Sequence, residues 1–120
     1  MKEKLFDSEA KVMEIIWAKA PISAKEVSLI AAETIGWNKN TTYTVIKKLN
    51  EKGVIERTEP QFICKSLIGR EEIQRFETEG LIQRLYNGSK KALFSALLDD
   101  DKLDDNELSE LRAMLEERMK

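Results

Sequence analysis

Residues 37–53 read WNKNTTYTVIKKLNEKG, and this stretch decides the fold of the chain. Asn38 is a favourable residue for the N-cap of a helix, and Gly53 suits the position just after a helix end. Four residues between them recur at i, i+3, i+4 and i+7 and form one apolar stripe. These residues are Thr42, Val45, Ile46 and Leu49. The spacing therefore predicts an amphipathic helix with a defined start and stop.

The other face of this predicted helix is polar. It and its flanks carry Lys39, Asn40, Tyr43, Thr44, Lys47, Lys48 and Glu51. Amides, hydroxyls and ammonium groups are the groups that contact base edges and backbone phosphates in DNA. Each β-branched residue, such as Thr41, also lowers helix propensity by about half a kcal/mol relative to Ala. A plain surface helix does not need this composition, so we interpret the stretch as a DNA-recognition helix rather than an ordinary amphipathic one.

Two shorter helices are predicted upstream. Asp7 or Ser8 can cap the first helix, and Pro21 ends it. The second helix begins with a capping box, in which Ser23 pairs with Glu26, and with a hydrophobic staple. The staple pairs Ile22 with Val27. Two compact helices, a tight turn and a third helix with a polar outer face are typical of a helix-turn-helix.

The periodicity changes after the third helix. Residues 54–58 and 62–66 predict two strands, and Glu59, Pro60 and Gln61 predict the turn between them. A helix-turn-helix followed by a β-hairpin is a winged helix, in which the hairpin is the wing. The turn carries no Arg or Lys, whereas Arg57 and Lys65 lie further down the arms. We therefore expect only a weak contact between the wing tip and phosphate.

The rest of the chain is predicted to be helical. Ser89 and Asp104 are candidate caps for two further helices, and the acidic run 99–101 separates these helices. Roughly 50 residues cannot close a core alone, and a symmetric dimer is the common solution. The predicted fold class is mostly α with a small β-hairpin. We predict a winged-helix DNA-binding domain over residues 1–68 and a helical dimerisation domain over residues 69–120.

Composition and charge limit the class of protein. With 42% hydrophobic and 35% charged residues, the 120-residue chain is predicted to be a soluble globular protein without a membrane segment. Residues 1–68 hold 11 Lys/Arg and 9 Asp/Glu, net +2, and residues 69–120 hold 9 and 13, net −4, which together give the net charge of −2. A slightly basic first half permits DNA binding without requiring it.

Several kinds of site are not expected. The chain has no histidine, no glycine-rich phosphate loop and no paired nucleophile and base, so we predict that it is not an enzyme. One cysteine without histidine excludes a zinc site in practice, and we expect no metal and no cofactor. A single cysteine and the absence of a signal peptide pattern predict a cytoplasmic protein.

The chain resembles the penicillinase-repressor (BlaI/MecI) family of winged-helix repressors. The resemblance rests on residues 9–17 (EAKVMEIIW), on Trp37, on residues 41–53 and on the Leu-rich last helix over residues 103–115. It implies a homodimer that binds a pseudo-palindromic double-stranded DNA operator and pairs through its C-terminal helices. Family archetypes are cleaved at an Asn-Phe bond in this region. This chain has Ala96-Leu97 at that place, so it departs from the cleavage pattern.

The resemblance and the polar face of the third helix together define the candidate site. The expected DNA-binding residues are Asn38, Lys39, Asn40, Thr41, Tyr43, Thr44, Lys47 and Lys48. The alternative function is a winged-helix protein–protein adaptor that does not bind DNA. The acidic second half and the wing tip without Arg or Lys suit that alternative. Binding to duplex DNA that weakens steeply with salt distinguishes a repressor from such an adaptor.

Overall fold

The computed structural model describes residues 4–99 and 101–120, within which six helices and three short strands occur. The helices are α1 (Asp7–Lys19), α2 (Ala24–Thr34), α3 (Lys39–Glu51), α4 (Arg70–Tyr86), α5 (Lys90–Leu98) and α6 (Asp105–Arg118). The strands are β1 (Ile22–Ser23), β2 (Ile55–Thr58) and β3 (Ile63–Ser66). The chain divides into two compact units, the first ending at Thr78 and the second running from Glu79 to Lys120. The protein is mostly helical with a small sheet, as predicted.

The first three helices enclose the core of the first unit. The buried residues of α3 are those of the predicted stripe, Thr42, Val45, Ile46 and Leu49. In α1, Val12, Met13 and Ile16 have no exposed surface, and α2 contributes Val27 and Ala31. Burying each large aliphatic side chain stabilises the fold by about 1.5–3 kcal/mol. This burial sets the rotation of α3 about its axis, so its polar positions are directed to the surface.

The sheet contains one strand more than we predicted. Strands β2 and β3 form the expected antiparallel hairpin, in which Arg57 lies opposite Cys64. Ile22 and Ser23 pair with β3 as β1, which gives the strand order β1-β3-β2. We predicted these two residues only as a helix cap and a staple. A two-residue strand is too short to display the alternation that identifies strands in a sequence.

Side-chain caps begin four of the described helices where we predicted them. The acceptors are Ser23, Asn38, Ser89 and Asp104, at 2.8–3.1 Å from the backbone nitrogen three residues later. The predicted cap of the first helix is wrong. Helix α1 begins directly after Phe6, whose N–H donates to Glu9 Oε1 at 2.8 Å. A carboxylate inside the first turn thus satisfies the backbone donor that a cap residue leaves free.

The second unit consists of the remainder of α4 with α5 and α6. Helix α4 ends at Tyr86, just before Asn87 and Gly88, where we predicted an interruption. These two residues have φ values of 51° and 81°. Helix α5 ends at Leu98, next to the acidic run predicted to break it; Asp100 of that run lies outside the described residues. Neither α5 nor α6 has a buried residue. Among the described helices, none combines the length and apolar character that crossing a bilayer requires.

Candidate nucleic-acid interface

The start of α3 is held by the side chain of Asn38. Its Oδ1 accepts a hydrogen bond from the N–H of Thr41 at 2.8 Å. The next residue, Thr42, is fully buried, and its Oγ1 lies 3.5 Å from the carbonyl oxygen of Asn38. The cap therefore fixes the first turn of α3 on the core and presents the residues between the buried positions to solvent.

Most of the predicted DNA-binding residues form one exposed surface. The exposed members are Asn38, Lys39, Asn40, Thr41, Thr44, Lys47 and Lys48. The first turn of α3 contains no acidic residue. Thr44 Oγ1 donates to the carbonyl oxygen of Asn40 at 2.9 Å, so its proton is committed to the helix while its methyl group remains available for apolar contact. The ammonium groups of this surface suit backbone phosphates, whereas its amides and the methyl group suit base edges.

Tyr43 is the predicted site residue that is not fully exposed. It is half-buried and packs against the core of the first unit. The Nζ of Lys39 lies 5.6 Å from the centroid of the Tyr43 ring, within the range of a cation–π contact. The ring therefore helps to hold the Lys39 ammonium group at the beginning of α3. A direct contact between Tyr43 and DNA stays a prediction.

Lys52 follows α3 but does not belong to the exposed cationic surface. Its Nζ lies 2.6 Å from Oε1 of Glu9, and its side chain is only 17% exposed. It also donates to the carbonyl oxygen of Lys4 at 3.2 Å. Since Glu9 is 43 residues distant in sequence, no local pattern indicated this pairing. The exposed cations of the α3 surface are therefore Lys39, Lys47 and Lys48.

The wing carries a cationic group beside α3. Asn50 Oδ1 accepts a hydrogen bond from the N–H of Arg57 at 3.2 Å, which ties β2 to the last turn of α3. The guanidinium carbon of Arg57 lies 5.1 Å from the ring centroid of Phe62, a residue of the wing turn with φ 53°. Arg57 was expected on an arm of the hairpin, but its link to α3 and Phe62 could not be inferred from the sequence.

The described residues contain neither a metal-binding cluster nor an exposed thiol. No group of three or more His, Cys, Asp or Glu side chains among residues 4–99 and 101–120 could hold a metal ion. Cys64 is fully buried on β3. Burial raises the pKa of its thiol, and the charge of Arg57 opposes this effect in part. Burial thus favours the neutral thiol, which packs as a small apolar side chain.

Comparison with known proteins gives one consistent family. The sequence profile of the family described as penicillinase repressor matches residues 5–117. The chain is 27% identical to the penicillinase repressor of Bacillus licheniformis over 116 residues. This match covers 95% of this chain and 91% of that protein. It is also 27% identical over 117 residues to the methicillin resistance regulatory protein MecI of Mammaliicoccus sciuri, covering 96% and 95% of the two chains.

A solved structure supports the same assignment. The solution structure of the DNA binding domain of the repressor BlaI matches with a TM-score of 0.53 and 28% identity, over 60% of this chain and 93% of that one. This likeness confirms the predicted winged-helix fold. The family consists of DNA-binding repressors, which confirms that the chain is not of an enzyme class. Since the match runs from Leu5 to Glu117, this chain belongs to the penicillinase repressor family.

Proposed function

We propose that this protein is a cytoplasmic transcriptional repressor that binds a pseudo-palindromic DNA operator as a homodimer. Residues 1–68 bind DNA, and residues 69–120 form the dimer. The observation that carries the proposal is the surface of α3, which is capped, packed on the core and lined with three exposed lysines beside amides and hydroxyls. The relatives named as penicillinase repressor and MecI support a repressor role for a chain of this length and family.

The residues of the α3 surface have two kinds of role in this proposal. Lys39, Lys47, Lys48 and Asn38 position the helix through backbone phosphates, because ammonium groups and helix N-termini are suited to phosphate. Asn40, Thr41, Tyr43 and Thr44 contact base edges or thymine methyl groups in the major groove. Two copies of α3 then occupy successive major grooves, roughly one helical turn of DNA apart.

Support for the homodimer comes from apolar side chains that the second unit leaves exposed. They are Leu85, Phe94, Leu97, Leu98, Leu108, Leu111, Met114, Leu115 and Met119. The exposed fractions range from 37% for Leu108 to 83% for Met119. Large exposed apolar side chains that cluster on a soluble protein usually mark a surface that binds another protein. A second copy presents the same apolar surface, and two-fold pairing is the commonest way to cover it.

Selection of bound duplexes from a random DNA pool at physiological salt tests this function. We expect a palindrome with half-sites about one helical turn apart to be enriched. A variant with Lys39, Lys47 and Lys48 changed to Ala should keep its cooperative unfolding and lose the enrichment. Recovery of DNA without a shared sequence contradicts sequence-specific binding. Recovery of nothing above background contradicts DNA binding altogether and favours the protein–protein adaptor.

A further inference from the structure

We propose that Glu14, Trp17 and Arg70 are positioning residues that set the distance between the two half-sites the repressor accepts. They do so by fixing the first turns of α4 on α1. The inference rests on the proposed dimeric function, because spacing has a meaning only where two DNA-binding units are joined.

The connection between the wing and α4 is held by the indole of Trp17. Its Nε1 donates to the carbonyl oxygen of Ile68 at 2.9 Å and to Oγ of Ser66 at 3.1 Å. The Ser66 hydroxyl also donates to the carbonyl oxygen of Ile68 at 2.6 Å. Three hydrogen bonds therefore join the end of β3, the connecting segment and the last turn of α1. The segment that leads into α4 is anchored rather than a free linker.

Within the first unit, one face of the first two turns of α4 packs against the rest of that unit at three successive levels. Arg70, Ile73 and Glu77 lie at i, i+3 and i+7, so they share one side of the helix. Ile73 is buried in the core cluster at 7% exposure. Glu77 Oε2 accepts a hydrogen bond from the N–H of Leu5 at 3.2 Å. Attachment over two helical turns restricts the direction of the helix axis as well as the place where it starts.

Of these three contacts, that of Arg70 has the most specific geometry. Arg70 donates from Nη2 to Oε2 of Glu14 at 2.7 Å and from Nε to Oε1 at 3.3 Å. Its guanidinium carbon lies 5.2 Å from the ring centroid of Trp17. A two-point Arg–carboxylate contact defines the mutual orientation of its partners. The side chains of Arg70 and Glu14 are 46% and 60% exposed, so their pairing adds little to stability and its effect is mainly on orientation.

A small change of direction at the start of α4 has a large effect at its end. The helix has 17 residues and continues to Tyr86. At 1.5 Å per residue it spans about 25 Å, so a rotation of about 10° at its start moves its end by about 4 Å. One base pair along DNA corresponds to about 3.4 Å. Contacts that restrict the direction of α4 at its start therefore affect the half-site spacing on the scale of one base pair.

The test compares operators that differ only in spacing. Trp17→Phe removes the indole donor and keeps an aromatic ring, Arg70→Ala removes the two-point contact, and Glu14→Gln removes its charge. Each variant is titrated with the duplex recovered by selection, with duplexes whose spacer is one or two base pairs longer or shorter, and with a single half-site. Arg75→Ala is the matched control, because Arg75 is exposed on another face of the same helix. Chemical unfolding of each variant establishes that it is folded at the assay temperature.

We expect the three variants to keep the wild-type affinity for a single half-site. Their preference for the selected spacing over altered spacings should fall by roughly three- to tenfold, whereas Arg75→Ala keeps it. Variants that retain the full spacing preference overturn the inference and leave the proposed function intact. A variant that loses as much affinity for the single half-site as for the full operator also overturns the inference, since a merely structural role produces that result. Wild-type protein that binds every spacing equally well contradicts the dimeric operator itself.

Discussion

Glu9 and Lys52 form a largely buried ion pair that joins the first turn of α1 to the end of α3. The distance from Lys52 Nζ to Glu9 Oε1 is 2.6 Å, and the Glu9 side chain is only 1% exposed. The same carboxylate oxygen accepts the Phe6 N–H, while Oε2 has no hydrogen-bond partner within the described part of the chain. The pair therefore holds the segment before α1 against the end of the helix proposed to bind DNA.

Replacing Lys52 by Met should destabilise the protein strongly, because the Glu9 carboxylate then stays buried without a cation. Breaking one partner of a buried pair costs about 3–5 kcal/mol. The double variant Glu9→Gln/Lys52→Met leaves no unpaired charge and should be more stable than Lys52→Met alone. Urea unfolding measures both. Arg112→Ala breaks the exposed Arg112–Glu116 pair and is the control, for which little change is expected. A double variant less stable than Lys52→Met would show that the unpaired charge is not the cause.

Lys47→Ala should weaken binding to all DNA sequences alike, because Lys47 is assigned to a phosphate. The slope of log affinity against log salt should decrease by about one unit. Titrations of specific and random duplexes at several salt concentrations measure both effects. Lys19→Ala, which removes an exposed lysine at the end of α1, should leave the slope unchanged. If affinity for the operator falls while binding to random DNA stays the same, Lys47 contacts a base instead.

Leu115→Glu should convert the proposed dimer to a monomer. Leu115 is 59% exposed within the chain, so the substitution removes little internal packing but places a charge on the surface proposed to pair. Sedimentation gives the oligomeric state, and circular dichroism should report unchanged helix content. Ala113→Glu adds the same charge at an exposed position on another face of α6 and should remain dimeric. A dimeric Leu115→Glu protein would place the interface elsewhere.

A Gly→Ala substitution should have opposite effects on stability at two positions of this chain. Gly53 has φ +77°, Gly80 lies inside α4 with ordinary helical geometry, and an added Cβ meets nothing within 4 Å at either position. Gly53→Ala should destabilise by roughly 1–2 kcal/mol, because an L-residue is strained at this φ. Gly80→Ala should stabilise by roughly 0.5–1 kcal/mol through helix propensity. Each variant is the other's control in urea unfolding, and equal signs would contradict the backbone explanation.

The thiol of Cys64 should react with a disulfide reagent only in the unfolded chain. Burial raises its pKa in the folded protein, so the unfolded chain loses the thiol proton at a lower pH than the folded one. This contribution to stability is complete below the unfolded-state pKa and is lost as pH rises through the folded-state pKa. Labelling with and without urea measures accessibility. Cys64→Ala should remove part of the alkaline loss of stability; an unchanged pH profile would assign that loss to other groups.

Local patterns in the sequence determined most of the elements of this protein. The stripe of α3, the caps at Asn38 and Asp104 and the hairpin could be predicted because each depends on residues within about one or two helical turns of one another. The exposed side chains of α3 followed from the same period, since four buried positions fix which residues face outward. Family membership could also be anticipated from short motifs spread along the chain.

Only the tertiary structure decided which distant groups meet. Glu9 pairs with Lys52, Trp17 with Ser66, and Glu14 with Arg70, at separations of 43, 49 and 56 residues. Strand β1 likewise exists only because β3 offers its edge to two residues that precede α2. Side-chain pairs across such distances leave no periodic signal in a sequence. Their formation depends on how α1, α3 and α4 pack, and packing is a property of the assembled core rather than of any one segment.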